Sequence, residues 1–143
     1  MDRRTFTLSS LAAAGALTTS PEVFGAANNK PKIGLIGCGW FGGLVLGSMA
    51  EHSDMECISL CDPNAKSLEV TVDALAKHQP TAPRTFRDYR EMLGSAKHDI
   101  VIVSPPDHCH ALPAIAPMKA GADVCLEKPI SMDVVEGEAL VAA

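Results

Sequence analysis

Three short stretches of the chain hold residues whose types and spacing suit chemistry, and each follows an apolar run. The first is Gly37-Cys38-Gly39-Trp40-Phe41-Gly42, directly after Ile33-Gly34-Leu35-Ile36. Glycines at this spacing, between a strand and a helix, suit the approach of a phosphate. Gly37 permits a tight turn, Gly39 leaves no side chain where backbone must meet a pyrophosphate, and Gly42 lets the helix pack closely on the sheet. Trp40 and Phe41 open that helix, where unpaired backbone N–H groups favour an anion. Asp62 follows Gly42 by twenty residues, at the end of the next apolar run. A carboxylate there accepts hydrogen bonds from an adenosine ribose. The competing reading has the glycines serving packing alone and Asp62 starting an Asp62-Pro63-Asn64 turn. Strand, glycines, helix and acid together favour a nicotinamide dinucleotide. The carboxylate selects NAD, whose 2′-OH it binds, while nearby Lys66 leaves NADP possible.

The second stretch is Ser104-Pro105-Pro106-Asp107-His108-Cys109-His110. It lies just past an apolar run, at the carboxyl edge where open α/β sheets take ligands. Ser104, Pro105 and Pro106 form a stiff loop beside the nicotinamide ribose, and Asp107 or His110 caps the next helix or contacts the cofactor. A metal site is not expected, because four adjacent residues cannot all point inward. The third stretch, Glu127-Lys128-Pro129, follows another apolar run at the same edge. The Lys128 ammonium suits donation to a substrate hydroxyl or carbonyl oxygen during hydride transfer. An exposed lysine paired with Glu127 is the alternative. His52, His78 and His98 are read as solvated. Cys57 and Cys61, four apart in one strand and so on one face, are read as small buried hydrophobes, and five cysteines without a CxxC pair predict no disulfide framework.

To position these stretches the chain must alternate strands and helices. Apolar runs predict strands near 32–36, 55–61, 84–86, 99–104 and 123–126, the third the weakest, and amphipathic stretches predict helices near 40–51, 64–78, 88–94, 107–120 and 133–142. The pattern is an α/β, Rossmann-type doubly wound parallel sheet. Pro113 and Pro117 fall inside the fourth helix and predict a kink; Gly121 after Lys119 predicts a left-handed C-cap; Asp133 and Glu136 predict a capping box. A sheet of six strands in the order 3-2-1-4-5-6 needs one strand more than these five, so the chain is read as truncated before its last strand and before a C-terminal α/β domain.

The 143 residues, 47 % of them hydrophobic, suit one domain. With 12 Lys and Arg against 17 Asp and Glu the net charge is −5, which argues against nucleic acid as a partner. One Trp, one Tyr and four Phe are too few for a base-stacking platform. Residues 1–27 read as a signal peptide: Arg3-Arg4-Thr5-Phe6 resembles a twin-arginine motif, Leu8 to Thr19 is apolar and Ala-rich, and Gly25 and Ala27 suit a cleavage site. The expectation is export to a bacterial periplasm of a domain spanning 28–143. That apolar run is short of the roughly 20 residues a stable membrane span needs.

From Lys32 onward the chain resembles the N-terminal domain of the family named for glucose-fructose oxidoreductase, inositol dehydrogenase and the rhizopine-catabolism protein MocA. Three motifs carry the resemblance: Ile33-Gly-Leu-Ile-Gly-Cys-Gly, Asp99-Ile-Val-Ile-Val-Ser-Pro-Pro-Asp-His-Cys-His and Gly121-Ala-Asp-Val-Cys-Leu-Glu-Lys-Pro. The resemblance implies that Lys128 lies beside nicotinamide and substrate as a catalytic residue, that Glu127 and His110 lie near the cofactor, and that the Lys128–Pro129 peptide is cis. It also implies a sugar, cyclitol or polyol substrate, a homo-oligomer at full length, and proton-transferring residues in a following domain. Some members of the family cleave glycosides by transient oxidation of a sugar hydroxyl, which gives a second reading. A non-catalytic dinucleotide-binding module is a third.

Overall fold

The computed structural model describes residues 30–143. The expected leader over 1–27, with Arg3 and Arg4, lies outside the described residues. Five parallel strands form one sheet: β1 (Lys32–Ile36), β2 (Glu56–Cys61), β3 (Arg84–Phe86), β4 (Ile100–Val103) and β5 (Asp123–Leu126). Their order is β3-β2-β1-β4-β5. The helices are α1 (Trp40–His52), α2 (Ala65–Leu75), α3 (Tyr89–Ser95), α4 (Ala111–Lys119) and α5 (Val134–Val141). The chain winds outward from β1 to one edge and then from β4 to the other, so its connections leave from β1 and β4 in opposite directions. Every strand's carboxyl end then faces the same side, and the loops after β1 and β4 meet there.

The continuous apolar strands divide their side chains between two cores. Ile33, Leu35, Cys57, Leu60 and Ile102 pack with Leu46 of α1 and Leu68 and Leu75 of α2. Ile36, Cys61, Val101 and Val103 pack with Met92 of α3 and Ala114 of α4 on the other face. Leu35, Leu46, Leu60 and Ile102 are wholly buried, each contributing about 1.5–3 kcal/mol of transfer free energy.

Cys57 and Cys61 therefore lie on opposite faces, against the reading from their spacing. The reason is a β-bulge. Ile33 pairs with Cys57 but Gly34 pairs with Ser59, so Ile58 is an extra residue that inverts the alternation of β2. The short strand β3 pairs only with Ser59 to Cys61 and does not reach Cys57. The Gln79 carboxamide takes its place, accepting from Cys57 N and donating to Cys57 O, both at 2.9 Å.

The bulge also overturns the reading of His98 as solvated. His98 is buried, with Nε2 2.5 Å from the Ser59 hydroxyl, and it lies across Gly34, where a Cβ would come within 2.9 Å of its ring. Burial, with a smaller contribution from the Arg84 charge, pushes its pKa below the ordinary histidine value.

The expected helix over 107–120 divides into a 3-10 turn at Asp107–Cys109 and α4. Starting the helix at Ala111 puts Pro113 in its first turn, where a backbone N–H has no partner within the helix and its loss costs nothing. Pro117 stays inside the helix, two residues from its end. There Gly121, at φ +81°, closes a Schellman motif: Ala122 N donates to Pro117 O and Gly121 N to Met118 O, both at 3.0 Å. At the start of α5, Asp133 accepts from Glu136 N, and the Glu136 carboxylate accepts from Met132 N, one residue before the N-cap.

Candidate functional site

The turn from β1 into α1 is specified by backbone contacts that only glycine allows. Gly37 has φ +92°, and a Cβ there would lie 2.5 Å from the backbone of Ser104 and Pro105. A Cβ on Gly42 would run into the carbonyl oxygen of Gly37. Gly39 is different, since a Cβ there would meet nothing within 4 Å. Gly37 and Gly42 thus let the loop close on itself, and Gly39 leaves its outer side open. Gly39 also occupies the N-cap of α1 without any side-chain hydrogen bond to the first turn, which carries no acidic residue. The N–H groups at the start of that turn are left for an anion. Trp40 and Phe41 stand at the lip, 83 % and 38 % exposed.

The loop is tied to the end of β2. Gly37 N donates to Cys61 O at 2.8 Å and Cys38 N to Asp62 Oδ2 at 2.8 Å. The other oxygen of Asp62 accepts from Asn64 N at 2.8 Å. Asp62 consequently joins both readings of its role, starting the turn into α2 while facing the glycine loop. The thiols here are not nucleophiles: burial, reinforced by the charge of Asp62, pushes Cys38 up to about 12, and burial pushes Cys61 up to about 11.

A cleft of about 670 Å³ opens along this edge, lined by Gly37, Gly39, Asp62, Ser104, Pro105 and Pro106 among others. Trp40 borders a smaller neighbouring recess between α1 and α2. His110 is not in the lining. It is 2 % exposed, with Nδ1 2.6 Å from Pro129 O and Nε2 2.9 Å from Pro105 O. Its side chain caps no helix, and neither does that of Asp107, which accepts from the adjacent His108 N. His110 thus sits between the loop after β4 and the loop after β5, its ring donating to one carbonyl or the other according to its tautomer. The second of these loops carries Glu127, whose N–H extends the ladder to Val103 O at 3.0 Å, and Lys128, which is exposed and precedes a cis peptide to Pro129. Lys128 lies outside the cleft lining, and among the described residues it has no salt-bridge partner, Glu127 included.

Sequence reasoning missed Arg87, Tyr89 and Arg90, which also line the cleft. They follow β3 at the carboxyl edge, where the rule for open sheets places ligands, but the three-residue strand drew no attention to what came after it.

Residues 31–143 match the sequence model of the oxidoreductase family with an NAD-binding Rossmann fold. The chain is 32 % identical over 133 residues to a glycosyl hydrolase family 109 protein of Stenotrophomonas maltophilia, an alignment covering 89 % of this chain and 29 % of that protein. It is 28 % identical over 109 residues to an alpha-N-acetylgalactosaminidase of Shewanella oneidensis, covering 73 % of this chain and 24 % of the other. Among solved structures, the WlbA dehydrogenase of Bordetella pertussis in complex with NADH and UDP-GlcNAcA superposes with a TM-score of 0.69 at 30 % identity, covering 80 % of this chain and 33 % of that one. The chain thus spans about a quarter to a third of the length of these relatives.

Proposed function

The chain belongs to the oxidoreductase family with an NAD-binding Rossmann fold, and from that premise we propose that it is the cofactor-holding part of an enzyme acting on a sugar, cyclitol or polyol. The observation that carries the reading is the glycine cradle with its open side at Gly39, on the same sheet edge as Lys128. The cradle fits a pyrophosphate, because the first turn of α1 has no side-chain cap and the outer surface at Gly39 lacks a Cβ. In this reading Gly37, Gly39 and the first turn of α1 hold the pyrophosphate, with Trp40 and Phe41 screening it. Asp62 binds the adenosine ribose, and Ser104, Pro105 and Pro106 border the nicotinamide ribose. When bound, the nicotinamide supplies the hydride acceptor and donor. Lys128 directs an ammonium toward a substrate oxygen and stabilises charge as it develops there. His110 and Glu127 set the position of Lys128 through the two loops they anchor.

The relatives named as glycosyl hydrolases favour a second reading, redox-assisted glycoside cleavage, in which oxidation of a sugar hydroxyl is transient and acidifies the neighbouring C–H. The two reactions separate by readout. A dehydrogenase accumulates NADH stoichiometrically with oxidised sugar; a redox-assisted hydrolase releases the aglycone of an aryl glycoside without net NADH and takes solvent deuterium into the sugar. Absence of both, in a protein that binds NAD, leaves the non-catalytic module. Export by the twin-arginine route is proposed as well, from Arg3 and Arg4: replacing both by Lys should strand the precursor in the cytoplasm, and unaltered secretion would reject the route.

A further inference from the structure

We propose that Thr71, a residue outside the cleft, is a positioning residue for the dinucleotide: its hydroxyl turns the Cys38–Gly39 peptide so that the Gly39 N–H faces the cradle opening. The proposal rests on the reading of the cleft as a dinucleotide site. Thr71 lies in α2, 4 % exposed, and does not line the cleft. The buried positions of that helix are Leu68, Thr71 and Leu75, so a hydroxyl stands where packing alone favours an apolar side chain. A threonine inside a helix commonly bonds back to the carbonyl of its own preceding turn. Thr71 instead donates across to Cys38 O at 3.4 Å, and among the described residues neither group has another partner. A Cβ added to Gly43 would come 3.7 Å from Thr71 Oγ1, which places the hydroxyl where α1 and α2 meet behind the cradle.

Asp62 fixes the peptide before Cys38 by accepting from Cys38 N at 2.8 Å, but it leaves the peptide after Cys38 free to rotate. Thr71 removes that freedom. The Cys38–Gly39 peptide is trans, so its C=O and N–H point in opposite directions. With the carbonyl drawn toward α2, the Gly39 N–H points away from α2, and it meets no acceptor among the described residues. The outer side of Gly39 is open. An unpaired donor there suits a phosphate oxygen. Rotation of this one peptide plane would exchange the donor for a carbonyl oxygen, which repels a phosphate. A single hydroxyl on the neighbouring helix therefore decides which of the two the cradle presents, and it does so without touching the ligand.

Calorimetric titration of the full chain with NAD, beside thermal melts, tests this in the wild type, Thr71→Val and Thr71→Ser. Thr71→Val keeps the shape and loses the donor; it should melt cooperatively and bind NAD about fivefold to tenfold more weakly, the worth of one hydrogen bond. Thr71→Ser keeps the hydroxyl and should bind within about twofold of the wild type. In the wild-type chain itself, NAD should shift the Gly39 amide resonance and slow its hydrogen exchange, a readout that needs no variant. Unchanged NAD affinity in Thr71→Val, a Thr71→Ser as weak as Thr71→Val, or a Gly39 amide indifferent to NAD overturns the proposal. A lowered melting midpoint with unchanged affinity would make Thr71 a packing residue only. A folded wild-type chain that binds no NAD overturns the reading of the cleft itself, and the proposal with it.

Discussion

At the β1–β2 end of the sheet's carboxyl edge, Gly37, Gly42 and Asp62 are fixed by backbone contacts and hydrogen bonds; at the β5–α5 end, Lys128, Ile130, Met132, Val134 and Val135 stand exposed. The first region has its geometry settled before any ligand arrives, so its binding energy is not spent on ordering loops. The second is anchored chiefly from beneath, through His110 and the ladder bond of Glu127. On the proposed reading, holding a dinucleotide and acting on a substrate are therefore separable, and substitutions at the two ends should fail in different ways.

The largest effect is expected at Gly42. Its Cβ would collide with the backbone of Gly37, which cannot move without opening the turn, so Gly42→Val should cost several kcal/mol and abolish cooperative melting together with NAD binding. Gly39→Val, three residues away, faces open space and should melt normally while losing about 100-fold or more in NAD affinity, since only the approach of the pyrophosphate is blocked. Melting and calorimetry on the pair decide the matter. Equal loss of stability in both, or unchanged affinity in Gly39→Val, would remove the distinction between a packing glycine and a binding glycine.

At the other end, if the proposed reaction is right, Lys128→Ala should lower its turnover by about 100-fold or more while leaving NAD affinity within a few-fold. Lys128→Arg should also be poor, because a guanidinium is wider and holds its proton more firmly. Near-normal steady-state turnover in both would make Lys128 a loop residue. His110→Ala removes the tie between Pro105 O and Pro129 O and should cost about 1–3 kcal/mol of stability in a denaturant melt. A melt like that of the wild type would show the staple to be inert.

The glycine motif, the turn at Asp62 and the places of all five strands were legible because each depends on local pattern, apolar runs, turn residues and a fixed spacing, and their order followed from the rule for doubly wound sheets. What escaped depended on contacts across the sheet. The bulge at Ile58 leaves no mark in sequence, since isoleucine suits a regular strand position as well as a bulged one, yet it decides the faces of Cys57 and Cys61. His110 sits in a motif rich in polar residues and reads as a ligand contact; only its burial between two carbonyls shows it to be a tie. Arg87 and Arg90 become neighbours of Asp62 through the pairing of β2 with β3, and no spacing along the chain reports that.

The smallest effect, and the one remote from both ends of the cleft, concerns His98. It lies just before β4, away from the carboxyl edge, so it should influence stability without touching cofactor affinity. Its pKa in the folded chain lies below the ordinary value of 6.5, chiefly because burial disfavours the imidazolium and secondarily because of Arg84. A group whose folded pKa is depressed binds fewer protons in the folded state than in the unfolded state over the interval between the two values. The neutral ring's contribution is thus fully present above about pH 6.5 and is lost as the pH falls through the folded-state value. The Ser59 hydroxyl beside Nε2 both donates and accepts, so it serves the neutral ring in either tautomer. His98→Gln, which keeps a polar partner for Ser59 but carries no titrating group, should therefore flatten the acid side of the stability curve below about pH 6.5. NAD affinity at pH 7.5 should stay unchanged. Denaturant melts of both proteins across that interval give the slopes, and parallel slopes would place the acid sensitivity in another group.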